Sequence, residues 1–406
     1  FILAALATLA ATASFAQSTV TLGGTLEIAP FSNGKVTTQA AGAAGATTAV
    51  KSNRTSQPNT WSTSVLSLTG TEDLGGGLKA NFVLISGMGA GTGAHTTDST
   101  TNAADSGIGN RERSLGLSGG FGALRFGRFV PAAAAGFHAF SGAGSATLVG
   151  SAYGMSTANS AAGPNGLHTN ADNFERINNV LQYTSPAFNG FTLNLAVAQN
   201  SNDSNDAAAL GKNSTNQTSI SLNYAQGPLS VGVGMNDLKT KVQAAPEVPA
   251  TVAVDANGDL TNLFAAGTAA VAQSSRKSDL DWIGASYDLG VATVYGTHVK
   301  RKGTATTAAG VTTTGTNAKV NAFGVSVPMG AFTLRASMYS GKDTRGVGAA
   351  DDMKLSGNQL SASYALSKRT SLIAATGTNQ YKRDGAESTA ATRKQTATTL
   401  AVNHTF

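Results

Sequence analysis

Residues Thr218–Met235 read TSISLNYAQGPLSVGVGM, and this stretch decides the fold. Ile220, Leu222 and Tyr224 alternate with Ser219, Ser221 and Asn223. Leu229, Val231, Val233 and Met235 then alternate with Ser230, Gly232 and Gly234. A period of two sends alternate side chains to opposite faces of a strand. Gln226–Pro228 separates the runs, and Gly and Pro there mark a turn. The unit is a β-hairpin with one apolar face and one face of small, polar residues.

The same pattern recurs along the chain. Phe191, Leu193, Leu195 and Val197 alternate with Thr192, Asn194, Ala196 and Ala198. Phe332, Leu334, Ala336 and Met338 alternate with Thr333, Arg335, Ser337 and Tyr339, and Leu360, Ala362, Tyr364 and Leu366 repeat it. Seven connections are short: Thr71–Gly77, Ser118–Gly122, Pro186–Gly190, Gln226–Pro228, Asp288–Gly290, Pro328–Ala331 and Ser367–Thr370. Eight longer stretches lack periodicity, near 30–59, 88–110, 130–175, 200–216, 239–276, 303–317, 342–355 and 382–396. Fifteen connections join sixteen strands. An even strand number, with short turns at one rim and long loops at the other, predicts an all-β, antiparallel transmembrane β-barrel. A β-sandwich needs an apolar inner face, and a solenoid needs a fixed repeat; the chain has neither.

Composition agrees. Of 406 residues, 12% are charged and 41% hydrophobic, with 48 glycines, 9 prolines and no cysteine. A disordered chain would carry more charge or proline. Past residue 16 no apolar run approaches the ~18 residues of a spanning helix. Disulfide scaffolds and cysteine–zinc sites are excluded. The net charge is +6, but the 28 basic residues are spread over the whole length rather than clustered as in a nucleic-acid binder.

Residues Phe1–Phe15 read FILAALATLAATASF, followed by Ser14-Phe15-Ala16 as a small-x-small cleavage pattern. They are expected to be the apolar core and cleavage site of a secretory signal, residues 1–16, with its basic n-region missing. The barrel then spans 17–406.

Five stretches resemble the general porins of Gram-negative outer membranes: Gly70–Phe82 (GTEDLGGGLKANF), Leu115–Arg128 (LGLSGGFGALRFGR), Asn178–Ala196 (NNVLQYTSPAFNGFTLNLA), Ala285–Gly296 (ASYDLGVATVYG) and Leu400–Phe406 (LAVNHTF). The resemblance implies sixteen strands, short periplasmic turns and long extracellular loops, with the third long loop folded into the pore. It implies a homotrimer in the cell outer membrane, and a terminal Phe406 that serves as barrel-insertion signal. Its function would be passive diffusion of small hydrophilic solutes and inorganic ions, with no cofactor. The alternative is a barrel acting mainly as an adhesin or receptor surface through its long loops.

No enzyme site stands out. None of the five histidines forms a close metal pair. Gly116–Gly120 matches GxSxG, but another strand follows it where a nucleophile elbow needs a helix. No metal site is expected.

A pore selects by its width and the charges that line it. Parity gives candidates. With Leu78, Ala80, Phe82 and Leu84 toward lipid, Lys79, Asn81, Val83 and Ile85 face inward. The same argument turns Arg125, Arg176, Arg335 and Glu27 inward, since Lys or Arg against lipid costs about 2–4 kcal/mol at midplane. Strict alternation puts Arg111 and Arg113 outward and Glu112 inward. Similar porins nevertheless line the pore from the position of Arg111, which implies a bulge or a rim position there. They also do so from the position of Arg176. Another of their arginine positions is Val65 here, and acid or amide positions are Val83 and Ile85. Loop three, about Val130–Asp172, carries no acid until Asp172 and Glu175 close it. Opposite basic residues, such a loop predicts a weak anion preference. Lys300, Arg301, Lys302, Lys382, Arg383, Arg393 and Lys394 gather at the outer rim, where outer-membrane lipid and lipopolysaccharide phosphates are candidate partners. Nucleic acid is not an expected partner.

Overall fold

Each alternating segment pairs antiparallel with the next, because a short turn leaves two half-apolar strands side by side with their faces matched. The structure, a computed structural model, describes residues 18–39, 47–54, 57–58, 60–88, 108–142, 176–201, 213–242, 274–307, 309–344, 352–383 and 392–406. The strands are β1 (Thr19–Gln39), β2 (Thr47–Arg54), β3 (Gln57–Pro58), β4 (Val65–Gly75), β5 (Leu78–Gly87), β6 (Glu112–Gly119), β7 (Gly122–Phe129), β8 (Ile177–Thr184) and β9 (Phe191–Ser201). They continue as β10 (Asn213–Gln226), β11 (Leu229–Val242), β12 (Ser274–Asp288), β13 (Thr293–Thr306), β14 (Thr312–Met329), β15 (Phe332–Asp343), β16 (Met353–Ala365), β17 (Thr370–Arg383) and β18 (Thr392–Thr405). A short helix α1 (Ala132–Ala135) and a 3-10 segment (Gly136–Phe140) follow β7.

The sheet closes on itself. β18 pairs with β1 from Thr25↔Thr405 to Gln39↔Thr392. Gly24 and Phe406 exchange both backbone hydrogen bonds, each 3.1 Å. Closure leaves no unpaired strand edge, which a bilayer core requires.

Eighteen strands make sixteen staves. β2, β3 and β4 all run antiparallel to β1 along one line, at Ser32↔Arg54, Ile28↔Pro58 and Thr25↔Val65. They form one interrupted stave, so the expected sixteen-stranded closed antiparallel barrel holds. All seven expected turns connect neighbouring strands. In the hairpin quoted first, Gly227 takes φ +58, a left-handed backbone that favours glycine.

Six of the stretches expected as loops are partly strand, two of them over long runs. β1 runs on to Gln39 and pairs with β2, while β13 and β14 extend through Thr306 and from Thr312. Beyond the bilayer both faces of a strand meet water. The apolar alternation therefore stops there although the ladder continues.

The outer face is an apolar belt. Leu22, Leu115, Val197, Leu222, Met235, Ile283, Phe323, Met338, Leu360 and Leu400 are all exposed. In water such a continuous band would aggregate; in a bilayer it is the favourable surface. The largest packed cluster lies on the inside. Leu238, Leu280, Trp282, Val299, Val320, Tyr339 and Leu355 pack with Ala134, Phe137 and Phe140. The inner face is therefore only partly the wet, small-residue wall its sequence suggests.

Candidate functional site

The inner wall carries cross-strand polar ladders. Thr71 Oγ1 donates to Asn81 Oδ1 at 3.1 Å, and Asn81 Nδ2 donates to Ser118 Oγ at 3.0 Å. Farther round, Thr184 Oγ1 donates to Asn194 Oδ1 at 2.8 Å and Asn194 Nδ2 to Ser221 Oγ at 3.2 Å. These are the polar partners of the outward leucines and valines, placed by alternation alone. They satisfy one another while leaving capacity for water.

The segment after β7 turns into the barrel and rests on that wall. Gln182 Oε1 accepts from the Ala132 backbone N–H at 2.9 Å. The Ala133 carbonyl accepts from Trp282 Nε1 at 2.6 Å and from Asn236 Nδ2 at 3.2 Å. Three amide or indole groups from β8, β11 and β12 thus pin one turn of helix. Phe137 and Phe140 fill the space beside it, and the wall is glycine where they approach. A Cβ at Gly232 or Gly284 would lie 2.8 or 2.5 Å from Phe140, and one at Gly234 would lie 2.3 Å from the Trp282 ring. Glycine on the inward parity, expected to meet water, is here a seat for aromatic rings. His138 lies on the same segment, and burial pushes its imidazole down to about 3. It is therefore neutral at neutral pH.

Next to this seat lies a charged cluster on β6 and β7. Arg125 forms an ion pair with Glu112. Its Nε donates to Ser114 Oγ at 3.1 Å, and Ser114 Oγ donates to Glu112 Oε1 at 2.9 Å. The guanidinium also stacks over the Phe129 ring, 4.1 Å from its centroid. A third of the Arg125 side chain remains exposed against 16% of Glu112, so the cation is the more accessible partner.

The other expected residues fall in different places. Arg335 is on the inward row of β15, eight staves from β7 in a barrel of sixteen, with Nη1 3.4 Å from Ser363 Oγ. Lys79 is exposed near the short-turn rim, paired in the ladder with Asp73 and Ser118. Arg176 and Arg111 stand just before β8 and β6, at the long-loop ends; the Arg111 N–H donates to the Ile85 carbonyl at 3.0 Å. Arg113 sits in the outward row with Leu84 and Leu115, as strict alternation requires, and its stem lies beside Gly109. Asp172 and Glu175, like residues 1–16, expected above to be a secretory signal, lie outside the described residues.

Glu27 has the inward parity but is fully buried. Its carboxylate accepts from Thr60 N and Thr60 Oγ1, both at 2.8 Å, from Trp61 N at 2.9 Å, and from Ser62 N. Those donors belong to the break between β3 and β4. Glu27 therefore holds the interrupted stave together rather than presenting charge to the lumen.

Sequence reasoning missed Arg128. Gly127 has φ +135, and a Cβ there would lie 2.0 Å from the Arg113 carbonyl. The register slips by one at this point, from Gly127↔Val180 to Phe129↔Ile177. Arg128 is buried; its Nε donates to the Asn110 carbonyl at 2.9 Å and its Nη1 to Asn178 Oδ1 at 2.7 Å. The only signal was glycine in RFGRF, which strand parity cannot interpret. Among the described residues no cluster of three or more His, Asp or Glu could hold a metal.

Known proteins resemble this chain in sequence and fold. A family model for Gram-negative porins matches residues 3–384. An outer membrane porin protein of Bordetella pertussis is 28% identical over 318 residues, 76% of this chain and 74% of that one. Outer membrane porin protein 32 of Delftia acidovorans is 34% identical over 186 residues, 45% of this chain and 46% of that one. Among solved structures, the anion-selective porin from Comamonas acidovorans superposes with TM-score 0.61 at 25% identity, covering 96% of this chain and 100% of that one.

Proposed function

We propose an anion preference for this chain, which belongs to the Gram-negative porin family and is an outer-membrane diffusion channel. The observation that carries the proposal is the balance of accessible charge on the inner wall. Arg125 and Arg335 keep exposure, while Glu27 and Asp343 are buried and hydrogen-bonded to backbone N–H groups; at the short-turn rim exposed Lys79 and exposed Asp73 stand opposite and offset each other. A wall with accessible cations and withdrawn carboxylates attracts anions into a water-filled pore, its low-dielectric walls focusing the field. The likeness to an anion-selective porin supports the same sign. Arg111 and Arg176, at the long-loop end, and the acid-free stretch of loop three extend the positive wall. Arg113 adds to it only as charge near the mouth.

In this reading small hydrophilic solutes and inorganic ions cross down their gradients, and the chain catalyses nothing. Three copies assemble, the signal is removed before Gln17, and Phe406 directs insertion. Lipopolysaccharide surrounds the outer rim. The test is the zero-current potential in a KCl gradient, for the purified protein and for Arg125→Ala, Arg176→Ala and Glu112→Gln. Anion preference should fall in the two arginine variants and rise when Glu112 is neutralised. Cation preference of the unaltered protein overturns the proposal.

A further inference from the structure

A second segment turns into the lumen, in the break between β3 and β4. Trp61 is buried against Ala29, Ile373, Ala375 and Ala401. Ile373, Ala375 and Ala401 stand on the inward rows of β17 and β18, because Leu372, Leu400 and Val402 beside them are exposed on the outer face. The neighbours of Trp61 are tied to the same wall. Thr60 Oγ1 lies 2.8 Å from Thr399 Oγ1, and Asn403 Nδ2 donates to Ser62 Oγ at 2.8 Å. The Glu27 carboxylate on β1 accepts from the N–H groups of Thr60, Trp61 and Ser62. A stave that only had to close the sheet would run straight from Pro58 to Val65. Instead residues 60–64 leave the ladder and lay an indole over the inside of β17, β18 and β1. The wall is mostly alanine where the indole lies, as it is glycine where Phe140 lies.

Height can be counted from the short turns. Gly232, Arg335, Ile373 and Arg125 each stand three residues beyond the first residue of their strand: Leu229, Phe332, Thr370 and Gly122. All four strands rise from the short-turn rim, so these positions share one level. Phe140 rests at Gly232, and Trp61 rests on Ile373. Around the sixteen staves the order is Phe140 at β11, Arg335 at β15, Trp61 at β17, β18 and β1, and Arg125 at β7. The two inward segments therefore face each other, centred on β11 and β18, seven staves apart. The two arginines face each other on the crossing axis, eight staves apart.

We infer that residues 60–63 are a second constriction element, and that solutes cross through a slot between them and the segment carrying Phe140, with Arg125 and Arg335 at its two ends. A pore selects by width and lining charge, and here the two are set on different axes. The narrow dimension of a solute, rather than its mass, then decides passage. A linear or flattened anion fits with its charge toward one end of the slot; a round one of equal mass does not. The inference rests on the chain being a diffusion channel and is independent of the sign of its ion preference.

The chain has no cysteine, so an introduced thiol is unique. The test places it on the segment as Thr63→Cys, at a half-buried position, and records single channels in planar bilayers. A neutral methanethiosulfonate should lower each conductance step, and a longer one should lower it further. A sulfonate reagent should move the zero-current potential in the cation direction and an ammonium reagent in the anion direction. Thr71→Cys, on the inward row of β4 near the short-turn rim, should lose much less conductance. Ser62→Cys serves if Thr63→Cys does not assemble. In liposomes the unaltered protein should admit linear neutral oligosaccharides faster than cyclic ones of similar mass, and Trp61→Gly should narrow that difference. A Thr63→Cys thiol that stays unreactive, or that reacts without changing the step, overturns the inference. So does equal entry of linear and cyclic sugars through the unaltered protein. Neutral reagents and sugars read width alone, so failure here is distinct from failure of the anion preference.

Discussion

Replacing Gly284 with valine tests whether the wall glycines seat the inward segment. A Cβ at this position would lie 2.5 Å from Phe140 Cβ and 2.6 Å from its Cγ and Cδ2. Contacts under 3.0 Å do not persist, and the neighbour is a ring root rather than a flexible tip, so Phe140 must leave. Its burial contributes about 2–3 kcal/mol. The remaining ties are Phe137 and the three hydrogen bonds of Ala132 and Ala133, worth about 1 kcal/mol each. Losing Phe140 alone should lower the ratio of docked to undocked segment by roughly 30- to 150-fold. Single-channel recording in planar bilayers reads this as frequent excursions to a higher conductance. Gly296→Ala is the control, since its nearest neighbours are at 3.7 and 3.8 Å, ordinary contact. A folded Gly284→Val barrel with traces identical to the unaltered protein would refute the reasoning.

Three further outcomes follow from other parts of the barrel. Glu27→Ala leaves the Thr60, Trp61 and Ser62 N–H groups without their carboxylate and should cost about 3–5 kcal/mol in urea unfolding, with Glu27→Gln intermediate. Burial depresses the His138 imidazole to about 3. An undocked imidazole titrates near 6.5, so the docked segment keeps its full stability above about pH 6.5 and loses it progressively as pH falls toward 3. Conductance excursions should therefore increase in acid, and His138→Phe should flatten that dependence; a pH-independent unaltered channel speaks against it. At the seam, Gly24→Val sets a Cβ 2.5 Å from the Val65 carbonyl and 2.7 Å from the Phe406 ring. The yield of assembled barrel in outer-membrane fractions should drop sharply, while Gly296→Ala leaves it unchanged.

Alternation within Thr218–Met235 and its repeats, with turn spacing, was enough to read the sixteen staves, the lipid-facing belt and the inward parity of Arg125 and Arg335. That reading works because lipid tolerates almost no charge on one face, so the constraint is printed on every second residue. It also accounts for the low charge content. Position along a strand gives no view across the lumen, however. That Gly232, Gly234 and Gly284 seat Phe140 and Trp282, rather than line water, depends on a segment folding back from about a hundred or more residues earlier. The bulge at Gly127 that buries Arg128 is a one-residue slip, which breaks the very period used to read the strand. Glu27 has the parity of a pore residue, and only the fold shows that the break between β3 and β4 supplies its donors. Lys300, Lys319, Lys342, Lys354 and Lys382, far apart in the sequence, likewise become neighbours only when five strands align in register. Parity is a local property that the sequence alone determined; adjacency across strands and across the lumen is a property of closure, and only the tertiary structure decided it.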